Sequence, residues 1–549
     1  MLRLTLVLLL FSLTVTAQKA LNREITLHAI KQPLKEVLAD MEKQGHFYFS
    51  YGSGLINSDS LVSLQVNREK ISGVLQLLFK DAFQYKMVDE YIIIQKAPPE
   101  KYLYLEGVLL DRENEEVVDH ASVYSRVHLV SALSDEQGHF KLRVKEKLLP
   151  VSVTVSKLGY RDTTLTYTGS EEKKKIYLSR RVFALEEDVV VYARKRGRFK
   201  MSFLIPKSQL IHSRNLGNFF TALPYQMSVT PGAGTQGKLS SQVVNKVSIN
   251  MIGGYTGGVN GAEIGGIFNI NRKNVRYFQA AGIFNTTFGS VKGVQAGGIY
   301  NTVADSVNGF QAGGLFNRVG GFTAGLQTAG ICNFAENNLR GVQVAGLFNR
   351  VKDTLSGVQI AGIINSAGHI SGVQIGLINF AESSDGASIG LLNFIKNGKL
   401  DIQTYTTELF PLGLAIKSGT PRFYTSLVLG SNFGPEPARY SLGLYLGTDV
   451  RLTNRWWVSL EAGQGLTVSG KWPNSSSFLR FQPEFHYRVS PRLSVFAGPA
   501  LSAYKKSSED SNTNDALSYF QSRIHTFSWG DQWTLWGGLQ AGLAFHLRK

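Results

Sequence analysis

The chain has 549 residues, with 58 lysines and arginines against 41 acidic residues and a formal net charge of +17. This length allows several domains, and 56 glycines with 15 prolines favour turns and closely packed strands over helices. The single cysteine, Cys332, excludes a disulfide framework and is interpreted as a small apolar side chain. The basic residues are scattered through strands and turns, so no nucleic-acid partner is expected.

Residues 1–17 read MLRLTLVLLLFSLTVTA, with one early arginine, an apolar run from Leu4 to Leu13 and small residues before Gln18. This pattern is typical of a secretory signal peptide. No later segment contains the ~20 consecutive apolar residues that a membrane-spanning helix requires. We therefore expect an exported protein that crosses a membrane, if it does so, as closed β-structure.

Strand and helix patterns alternate within residues 18–98. ITLHAI and HFYFSY have the period of two of a strand, and FQYKMVDEYIIIQ predicts a closing hairpin. PLKEVLADMEKQ predicts a helix because Leu34, Val37, Leu38 and Met41 share one helical face, and ISGVLQLLF predicts a second amphipathic helix. The pattern indicates a compact α+β domain.

The same residues resemble a known family. ITLHAIKQPLKEVLADMEKQGHFYFSY, followed by VSLQVNREKISGVLQLLF, is similar to the STN domain of secretins and TonB-dependent receptors. The resemblance implies a periplasmic domain that makes protein contacts and that, in some receptors, passes a signal to an anti-sigma partner. It supplies no catalytic residues, so the partner it implies is a periplasmic protein of the anti-sigma or TonB type.

Residues 101–180 contain alternating strands in YLYLEGVLL, ASVYSRV, HFKLRV and VSVTVS, separated by turn clusters, and predict a small β-sandwich. SALSDEQGHFKLRV and VSVTVSKLGYRDTTL, with Lys157, Gly159 and Tyr160, resemble the carboxypeptidase-D regulatory-like domain. That resemblance implies a structural module without peptidase chemistry. No zinc-ligand set of His and Glu accompanies these strands.

Residues 181–224 are interpreted as a linker. Within it, ALEEDVVVYARKRGR resembles the segment that follows the sandwich module in TonB-dependent receptors, where a valine-rich stretch binds TonB by strand addition. A last sandwich strand is the alternative interpretation of the same residues. The long plug domain of those receptors has no counterpart here, because strand signals resume near Gln226.

Residues 225–400 are predicted to be a β region built from an internal repeat, which runs from Gly261 to Asn393. Its core is small-Gly-apolar-X-Asn, with asparagines every 16 residues from Asn269 to Asn365, and two shortened copies of 14 end at Asn379 and Asn393. Six residues before each long-copy asparagine stands a glutamine, or Glu263 in the first copy. Such GVQxAGxxN arrays resemble the surface-repeat proteins of Bacteroidetes and Leptospira.

Two architectures fit this repeat. In GVQVAGLFN, Val342, Val344, Gly346 and Phe348 share one face, and the amides lie on the other. The first architecture is an antiparallel meander that joins a C-terminal barrel, with the apolar face toward lipid and Gln and Asn toward the lumen. The second is a β-solenoid with one coil per repeat, its apolar face inside and its amides stacked in ladders. We favour the meander because the repeats continue into the C-terminal strands without a linker.

Residues 401–549 contain longer amphipathic strands, such as RYSLGLYLGTDVRL and FLRFQPEFHYRV, in which one face is apolar and the other is polar or small. Short turns at TNR and SPR alternate with longer connections, notably Lys505 to Gly530, as in membrane β-barrels. Aromatic residues crowd the strand ends and are expected to form interfacial girdles: Trp456, Trp457, Tyr504, Trp533 and Trp536. The last strand, WGGLQAGLAFHLRK, resembles the C-terminal insertion signal of outer-membrane proteins, although it ends in Lys549 rather than an aromatic residue.

Candidate chemistry is sparse. Glu484 and His486 share the expected lumen face, and Glu461 lies on a neighbouring strand, but no nucleophile motif accompanies them. The glycine run GGYTGG at Gly253 does not lie between a strand and a helix, so it does not indicate a phosphate loop. We predict that the protein is not an enzyme and has no catalytic, cofactor-binding or metal-binding residues and no cofactor.

The sequence therefore predicts a mainly β chain: a small α+β STN-like domain, a β-sandwich, and a large antiparallel β-barrel built partly from 16-residue repeats, with a β-solenoid plus a smaller barrel as the alternative. The expected function is that of an outer-membrane surface protein with periplasmic docking domains and a structural or passive-passage role. Basic residues would then face lipopolysaccharide or line the lumen. The alternatives are a plug-less TonB-linked or anti-sigma signalling receptor, and a periplasmic or surface β-solenoid binding protein.

Overall fold

The computed structural model describes residues 21–80, 82–98, 100–169, 173–181, 202–217, 219–432, 439–469, 475–505, 525–529 and 533–547. The predicted signal peptide, the ALEEDVVVYARKRGR segment and most of the Lys505 to Gly530 connection lie outside these residues. The described chain is mainly β, as predicted, and forms two compact units, residues 1–103 with 144–149 and residues 104–143 with 150–549. Among the described residues, no helix is long and apolar enough to cross a lipid bilayer.

The first unit packs two helices, α1 (Leu34–Gly45) and α2 (Ile71–Phe79), with five strands. The strands are β1 (Glu24–Pro33), β2 (Tyr48–Tyr51), β3 (Leu61–Lys70), β4 (Phe83–Val88) and β5 (Tyr91–Lys96). β1 pairs antiparallel with β3, and β5 lies between β2 and β4 in a second sheet. The predicted face of α1 is confirmed, since its apolar residues are buried, and the predicted β4–β5 hairpin is present.

Seven strands form two facing sheets before the repeats. They are β6 (Tyr102–Asp111), β7 (Ser122–Tyr124), β8 (Ser131–Leu133), β9 (His139–Lys145), β10 (Val151–Ser156), β11 (Thr163–Tyr167) and β12 (Lys174–Leu178). The sheet orders are β12-β6-β9 and β11-β10-β7-β8. At the end of β6, Asp111 accepts hydrogen bonds from Tyr160 Oη at 2.9 Å and from Arg180 Nε at 2.6 Å. A hydrogen bond from the backbone N–H of Glu113, together with Arg180, lowers the pKa of Asp111 to about 2.

A helix, α3 (Lys207–Asn215), joins the sandwich to the repeats. Asn215 Nδ2 donates to the carbonyl oxygen of His120 at 2.8 Å, and Gln209 Nε2 donates to Ser240 Oγ at 2.6 Å. The imidazole of His212 is fully buried, with Nδ1 2.9 Å from Ser122 Oγ. These contacts hold α3 between the sandwich and the first coils.

The repeats form 21 strands. They are β13 (Thr221–Thr230), β14 (Ala233–Gly234), β15 (Val243–Asn250), β16 (Gly253–Thr256), β17 (Gly258–Gly265), β18 (Phe268–Asn271), β19 (Val275–Ala281), β20 (Phe284–Thr287), β21 (Val291–Gly297), β22 (Tyr300–Val303), β23 (Val307–Gly313), β24 (Phe316–Val319), β25 (Thr323–Ala329), β26 (Cys332–Ala335), β27 (Leu339–Ala345), β28 (Phe348–Ala361), β29 (Ile364–Ile370), β30 (Val373–Ile375), β31 (Ile378–Ser384), β32 (Ala387–Ile389) and β33 (Leu392–Ile395).

Apart from the antiparallel pair of β13 and β14, these strands pair in parallel with residues about one repeat away: Gln279 faces Gln295, and Asn285 faces Asn301. The region is therefore a β-solenoid, and the antiparallel meander that we favoured is wrong. Each repeat bends at a Gly-Ile or Gly-Leu step and supplies two short strands, one to each of two parallel sheets. A uniform repeat lets every coil stack on the previous one in the same register.

The amide face of the repeat lies inside the solenoid, contrary to the expected apolar face, and a buried apolar core accompanies the amides. Its members include Val291, Val303, Val307, Val319, Leu339, Val351, Leu355 and Ile370. Gln343 and Asn349 are fully buried, whereas Val342, Val344 and Phe348 lie on the partly exposed outer surface. Each asparagine donates to the asparagine of the next coil, at 2.8–3.2 Å. Each glutamine donates to that of the preceding coil, at 2.7–2.9 Å. Stacked amides thus satisfy one another without water.

The two ladders run in opposite directions and end on matched groups. The glutamine ladder ends at Glu263, whose carboxylate accepts from Gln279 Nε2 and Asn271 Nδ2, both at 2.8 Å. Burial raises the pKa of Glu263, and these hydrogen bonds oppose that rise. The asparagine ladder ends at Asn393. At its first coil the glutamine ladder needs a group that only accepts hydrogen bonds, and a carboxylate is such a group. This accounts for the glutamate that stands in the first copy alone.

A column of glycines makes the close stacking possible. Gly293, Gly309, Gly325, Gly341 and Gly357 all have left-handed backbone with φ of +113° to +150°. A Cβ at any of them would lie 1.9–2.2 Å from the carbonyl oxygen one coil earlier. Both constraints favour glycine at this position, where Tyr277 stands in an earlier coil with φ of +77°.

The last nine strands form an antiparallel barrel. They are β34 (Lys399–Thr407), β35 (Leu412–Gly419), β36 (Tyr424–Ser431), β37 (Arg439–Arg451), β38 (Trp456–Ser469), β39 (Ser475–Ser490), β40 (Leu493–Lys505), β41 (Thr526–Trp529) and β42 (Trp533–His546). Eight of them close the barrel through β34 and β42, while β41 only extends one edge of β42. The short turns TNR and SPR lie at the same end as the β35–β36 turn.

The predicted faces of the barrel strands are confirmed. Leu444 and Leu446 are exposed, at 37% and 41%, while Tyr445 between them is buried. The predicted aromatic girdle is only partly correct, because Trp457, Tyr504 and Trp536 are buried and their inward strand positions face the lumen. Their alternation with the exposed residues, rather than their place at strand ends, decides which way they point.

The last coil of the solenoid packs against the outside of the barrel wall. The backbone N–H of Asn393 donates to Ser418 Oγ at 2.9 Å, and its side-chain amide donates to Thr425 Oγ1 at 2.6 Å. Ser418 and Thr425 occupy outward strand positions near the short-turn rim, yet both are fully buried. The last coil therefore contacts the barrel from its outer side and not through the lumen.

The glycine column predicts a strong stability effect. Replacing Gly309 with alanine, Gly309→Ala, forces the Cβ against the carbonyl oxygen of Gly293 at 2.1 Å, so neighbouring coils must separate. We expect faster hydrogen–deuterium exchange in the coils from 291 to 329, measured by mass spectrometry. Ala324→Ser, at an outward position of the next coil, is the control. Equal protection in the two variants would contradict the stacking argument.

The buried imidazole of His212 predicts a pH-dependent junction. Burial, assisted by the charge of Lys238, lowers the pKa of His212 to about 4, below the ~6.5 of an exposed histidine. The unfolded junction binds the proton more readily, so its stability is complete above pH ~6.5 and falls as the pH approaches 4. Hydrogen exchange in residues 202–217, corrected for intrinsic rates, should increase from pH 7.5 to 5. His212→Asn should remove this dependence, and its persistence there would refute the assignment.

Candidate functional site

The barrel lumen contains the densest cluster of charged side chains. Lys417 on β35 lies between Glu461 on β38 and Glu484 on β39, with its Nζ 2.6 Å from Glu484 Oε2 and in direct contact with Glu461. All three side chains are buried. Inward and outward positions alternate along each strand, and these residues occupy inward positions. The cluster is an ion triad in which one cation is shared by two carboxylates.

Polar side chains surround the triad. Tyr424 Oη donates to Glu461 at 2.8 Å, and Gln482 Nε2 donates to the other oxygen of the same carboxylate at 3.0 Å. His486 Nε2 lies 3.0 Å from Glu484, and Gln540 Nε2 donates to Glu484 at 3.2 Å. Each carboxylate therefore has hydrogen-bond partners besides the lysine, as a buried ion pair requires.

The triad brings together the three residues that the sequence singled out. Glu484 and His486 do share the lumen face, and Glu461 does approach them from the adjacent strand. Sequence reasoning missed Lys417, which links the two carboxylates. Its signal was a lone lysine at an inward position of LGLAIKSG, two residues from Ala415, which is also inward.

The triad spans the lumen. In the eight-stranded ring, β35 and β39 are four strands apart, so the contact of Lys417 with Glu484 joins opposite walls. Gln403 on β34 reaches Glu484 at 3.4 Å from a third direction. At this level the interior is filled by side chains, as eight-stranded barrels of this size allow.

A second polar group lies toward the end of the barrel that has the longer connections. Arg480 donates to both carboxylate oxygens of Glu408, at 2.7 and 3.3 Å, and Trp536 Nε1 donates to Glu408 at 3.2 Å. Arg480 is 4% exposed and Glu408 13%. This bidentate pair closes the lumen above the triad.

A third group lies at the short-turn end and resembles a catalytic arrangement. Ser494 Oγ is 3.1 Å from His546 Nε2, and His546 Nδ1 is 2.8 Å from Asp401 Oδ1. This order of hydroxyl, imidazole and carboxylate is that of serine hydrolases. However, Ser494 is fully buried, and its strand is paired on both sides by β39 and β42. The geometry therefore supports a hydrogen-bonded link across the β34–β42 seam, where Asp401 faces His546.

The outer surface of the barrel is apolar. Exposed aliphatic and aromatic side chains cover the outward positions of its strands: Leu412, Leu414, Leu429, Leu442, Leu444, Leu446, Val450, Leu466, Leu479, Phe481, Phe485, Val495, Leu501, Leu539, Leu543 and Phe545. A water-soluble barrel has the reverse arrangement, with its apolar residues inside. The domain is thus polar inside and apolar outside.

Within the described residues, no group of three His, Cys, Asp or Glu side chains is arranged to hold a metal ion. Cys332 is partly exposed in the solenoid, between Phe316 and Phe348 of the neighbouring coils. Burial raises the pKa of its thiol, which keeps the thiol protonated and weakly nucleophilic. Neither feature adds a reactive site to the lumen.

Models of known protein families do not match this chain, and a comparison with curated proteins finds no relative.

The shared cation predicts that one substitution weakens the barrel. Lys417→Met leaves Glu461 and Glu484 facing each other in a closed interior, which costs about 3–5 kcal/mol when a buried pair is broken. We expect the temperature at which the folded band converts to the unfolded band on a detergent gel to fall. Adding Glu461→Gln should restore part of the loss. Lys396→Met, on the exposed solenoid surface, is the control, and an equal shift there would contradict the role of the triad.

Proposed function

We propose that the chain is an outer-membrane β-barrel protein with a structural role, whose N-terminal α+β and sandwich domains are protein-docking modules in the periplasm. The observation that carries this proposal is the reversed polarity of the barrel, with exposed leucines around a charged lumen. Lipid is the solvent that favours this arrangement, because outward apolar residues gain nothing in water. The proposal assigns the protein no catalytic activity.

Export and orientation follow from the sequence. The signal peptide at residues 1–17 directs the chain out of the cytoplasm, and the short turns lie at the end where the solenoid joins. Short turns are periplasmic in bacterial barrels, so the solenoid and the domains before it would lie in the periplasm. The longer connections would then meet lipopolysaccharide at the cell surface.

The filled lumen favours a structural role over passive passage. A solute would have to separate Lys417 from Glu461 and Glu484, and Arg480 from Glu408, before it could cross. Each separation leaves buried charges without partners, which is costly. An open pore of the porin kind needs a wider ring of strands.

A plug-less signalling receptor is the second candidate, and the surface of the α+β unit favours it. Ile30 and Leu61, on the paired strands β1 and β3, are 68% and 65% exposed. Tyr48 and Tyr91 lie side by side on β2 and β5, with ring centroids 5.8 Å apart. Apolar side chains on a small domain provide anchors for a periplasmic partner such as an anti-sigma or TonB-type protein.

Cell fractionation combined with gel mobility tests the proposal. The full chain should be recovered with the outer membrane and should migrate faster before boiling than after it, because a closed barrel resists detergent. Protease added to intact cells should cleave the chain within residues 505–530. Recovery from the soluble periplasm, without a heat-dependent shift, would support the third candidate, a soluble solenoid binding protein, and would refute membrane insertion.

Copurification distinguishes the first two candidates. The wild-type chain and a variant with Ile30→Lys and Leu61→Lys would be crosslinked in cells and isolated from the outer membrane. Specific recovery of an inner-membrane anti-sigma or TonB-type protein with the wild type alone would favour the receptor. Failure to recover such a protein with either form would favour the structural role.

A further inference from the structure

The outer surface of the solenoid carries a continuous stripe of aliphatic side chains. Nine residues at the corner between the two sheets, one per coil, are each 37–49% exposed: Ile267, Ile283, Ile299, Leu315, Ile331, Leu347, Ile363, Leu377 and Leu391. At the ~4.8 Å spacing of neighbouring strands, this stripe is roughly 40 Å long. Soluble monomers rarely expose an apolar patch of more than a few hundred Å², so the stripe marks an interaction surface.

Neighbouring columns widen the stripe. On the first-sheet side, Val294, Leu326 and Ile360 are each 36–38% exposed. On the second-sheet side, the rings of Tyr300 and Phe316 stack with centroids 4.9 Å apart and an interplanar angle of 1°. The apolar surface is therefore several side chains wide as well as nine coils long.

Basic residues border the stripe on both sides. Arg276, Lys292 and Arg340 are exposed along the first-sheet edge, and Arg318 and Arg350 along the second. An apolar face with cations at its margins suits a bilayer surface, where aliphatic groups enter the acyl region and cations meet phosphates. A symmetric pairing of two copies through this face would bring like charges together along both edges.

The stripe also begins at the barrel. The last coil, which contains Leu391, packs through Asn393 on outward residues of the barrel wall near the short-turn rim. The solenoid therefore begins at the short-turn edge of the apolar outer surface of the barrel. This continuity gives the stripe access to the same bilayer.

We propose that the solenoid is a monotopic membrane module, whose apolar stripe lies in the periplasmic leaflet and whose bordering arginines and lysine bind anionic phospholipid headgroups. The inference rests on the proposed membrane insertion of the barrel, which places the short-turn rim at that leaflet. A phospholipid bilayer is thus the partner of this surface.

Spin labels on the full chain in nanodiscs of phosphatidylethanolamine and phosphatidylglycerol test the proposal. In a Cys332→Ser background, single cysteines are introduced by Leu347→Cys on the stripe and by Asp353→Cys at an exposed position of β28, outside the stripe. The label at position 347 should collide mainly with oxygen, which partitions into lipid. The label at position 353 should collide mainly with a water-soluble nickel chelate, with the ratio of the two rates differing at least severalfold.

A third label, introduced by Leu442→Cys on the outer surface of the barrel, separates this inference from the proposed function. If position 442 reports lipid and position 347 reports water, the barrel is inserted and the inference is overturned. If both report water, membrane insertion itself fails. If position 347 is shielded from both reagents and its label couples to a second label, the stripe binds a second copy, which also overturns the inference.

Charge reversal tests the headgroup contacts. The combined variant Arg276→Glu, Lys292→Glu and Arg340→Glu should raise collisions of the position 347 label with the nickel chelate severalfold. The same reversal at the exposed solenoid residue Lys396, which lies outside the first-sheet edge, is the control and should leave them unchanged. Equal behaviour of the triple variant and the parent would overturn the assignment of anionic lipid as the partner.

Discussion

The structure depends on one constraint: an amide or a charged side chain that is turned inward loses its hydrogen bonds to bulk water, which is costly unless other side chains replace them. In the solenoid, amide ladders meet this requirement coil by coil, with Glu263 and Asn393 at the two ends. In the barrel, Lys417 and Arg480 meet it by bridging carboxylates across the lumen. Apolar side chains lie inside the solenoid beside these ladders, and in the barrel they cover the outer surface.

The sequence predicted those parts of the fold that depend on local periodicity. The apolar face of α1 and the alternating faces of β37 and β39 follow from side-chain spacing alone, and the structure has them as predicted. The 16-residue period and its two shortened copies were also visible. Periodicity fixes which residues share a face, and that information is local.

Periodicity did not reveal which face of the repeat lies inside. Val342 and Gln343 alternate equally well in a lipid-facing meander, in a solenoid that buries Val342, and in the observed solenoid, which buries Gln343. The choice depends on the stacking of Gln343 on Gln327 and Gln359, which are distant in the chain. Lys417 was overlooked for the same reason, since its meaning comes from carboxylates on strands across the lumen. In the candidate site, the alternation of residues along each strand identified which side chains face the lumen. Only the closed barrel showed which of those side chains contact one another.

The junction of the last coil with the barrel wall allows the length of the solenoid to vary. Because the 16-residue coils stack in one register between α3 at one end and Ser418 with Thr425 at the other, such a coil can be added or removed without altering either end contact. Each coil changes the separation of the two ends by ~4.8 Å. The copy number of the 16-residue unit therefore sets, in fixed steps, the distance between the sandwich and the barrel.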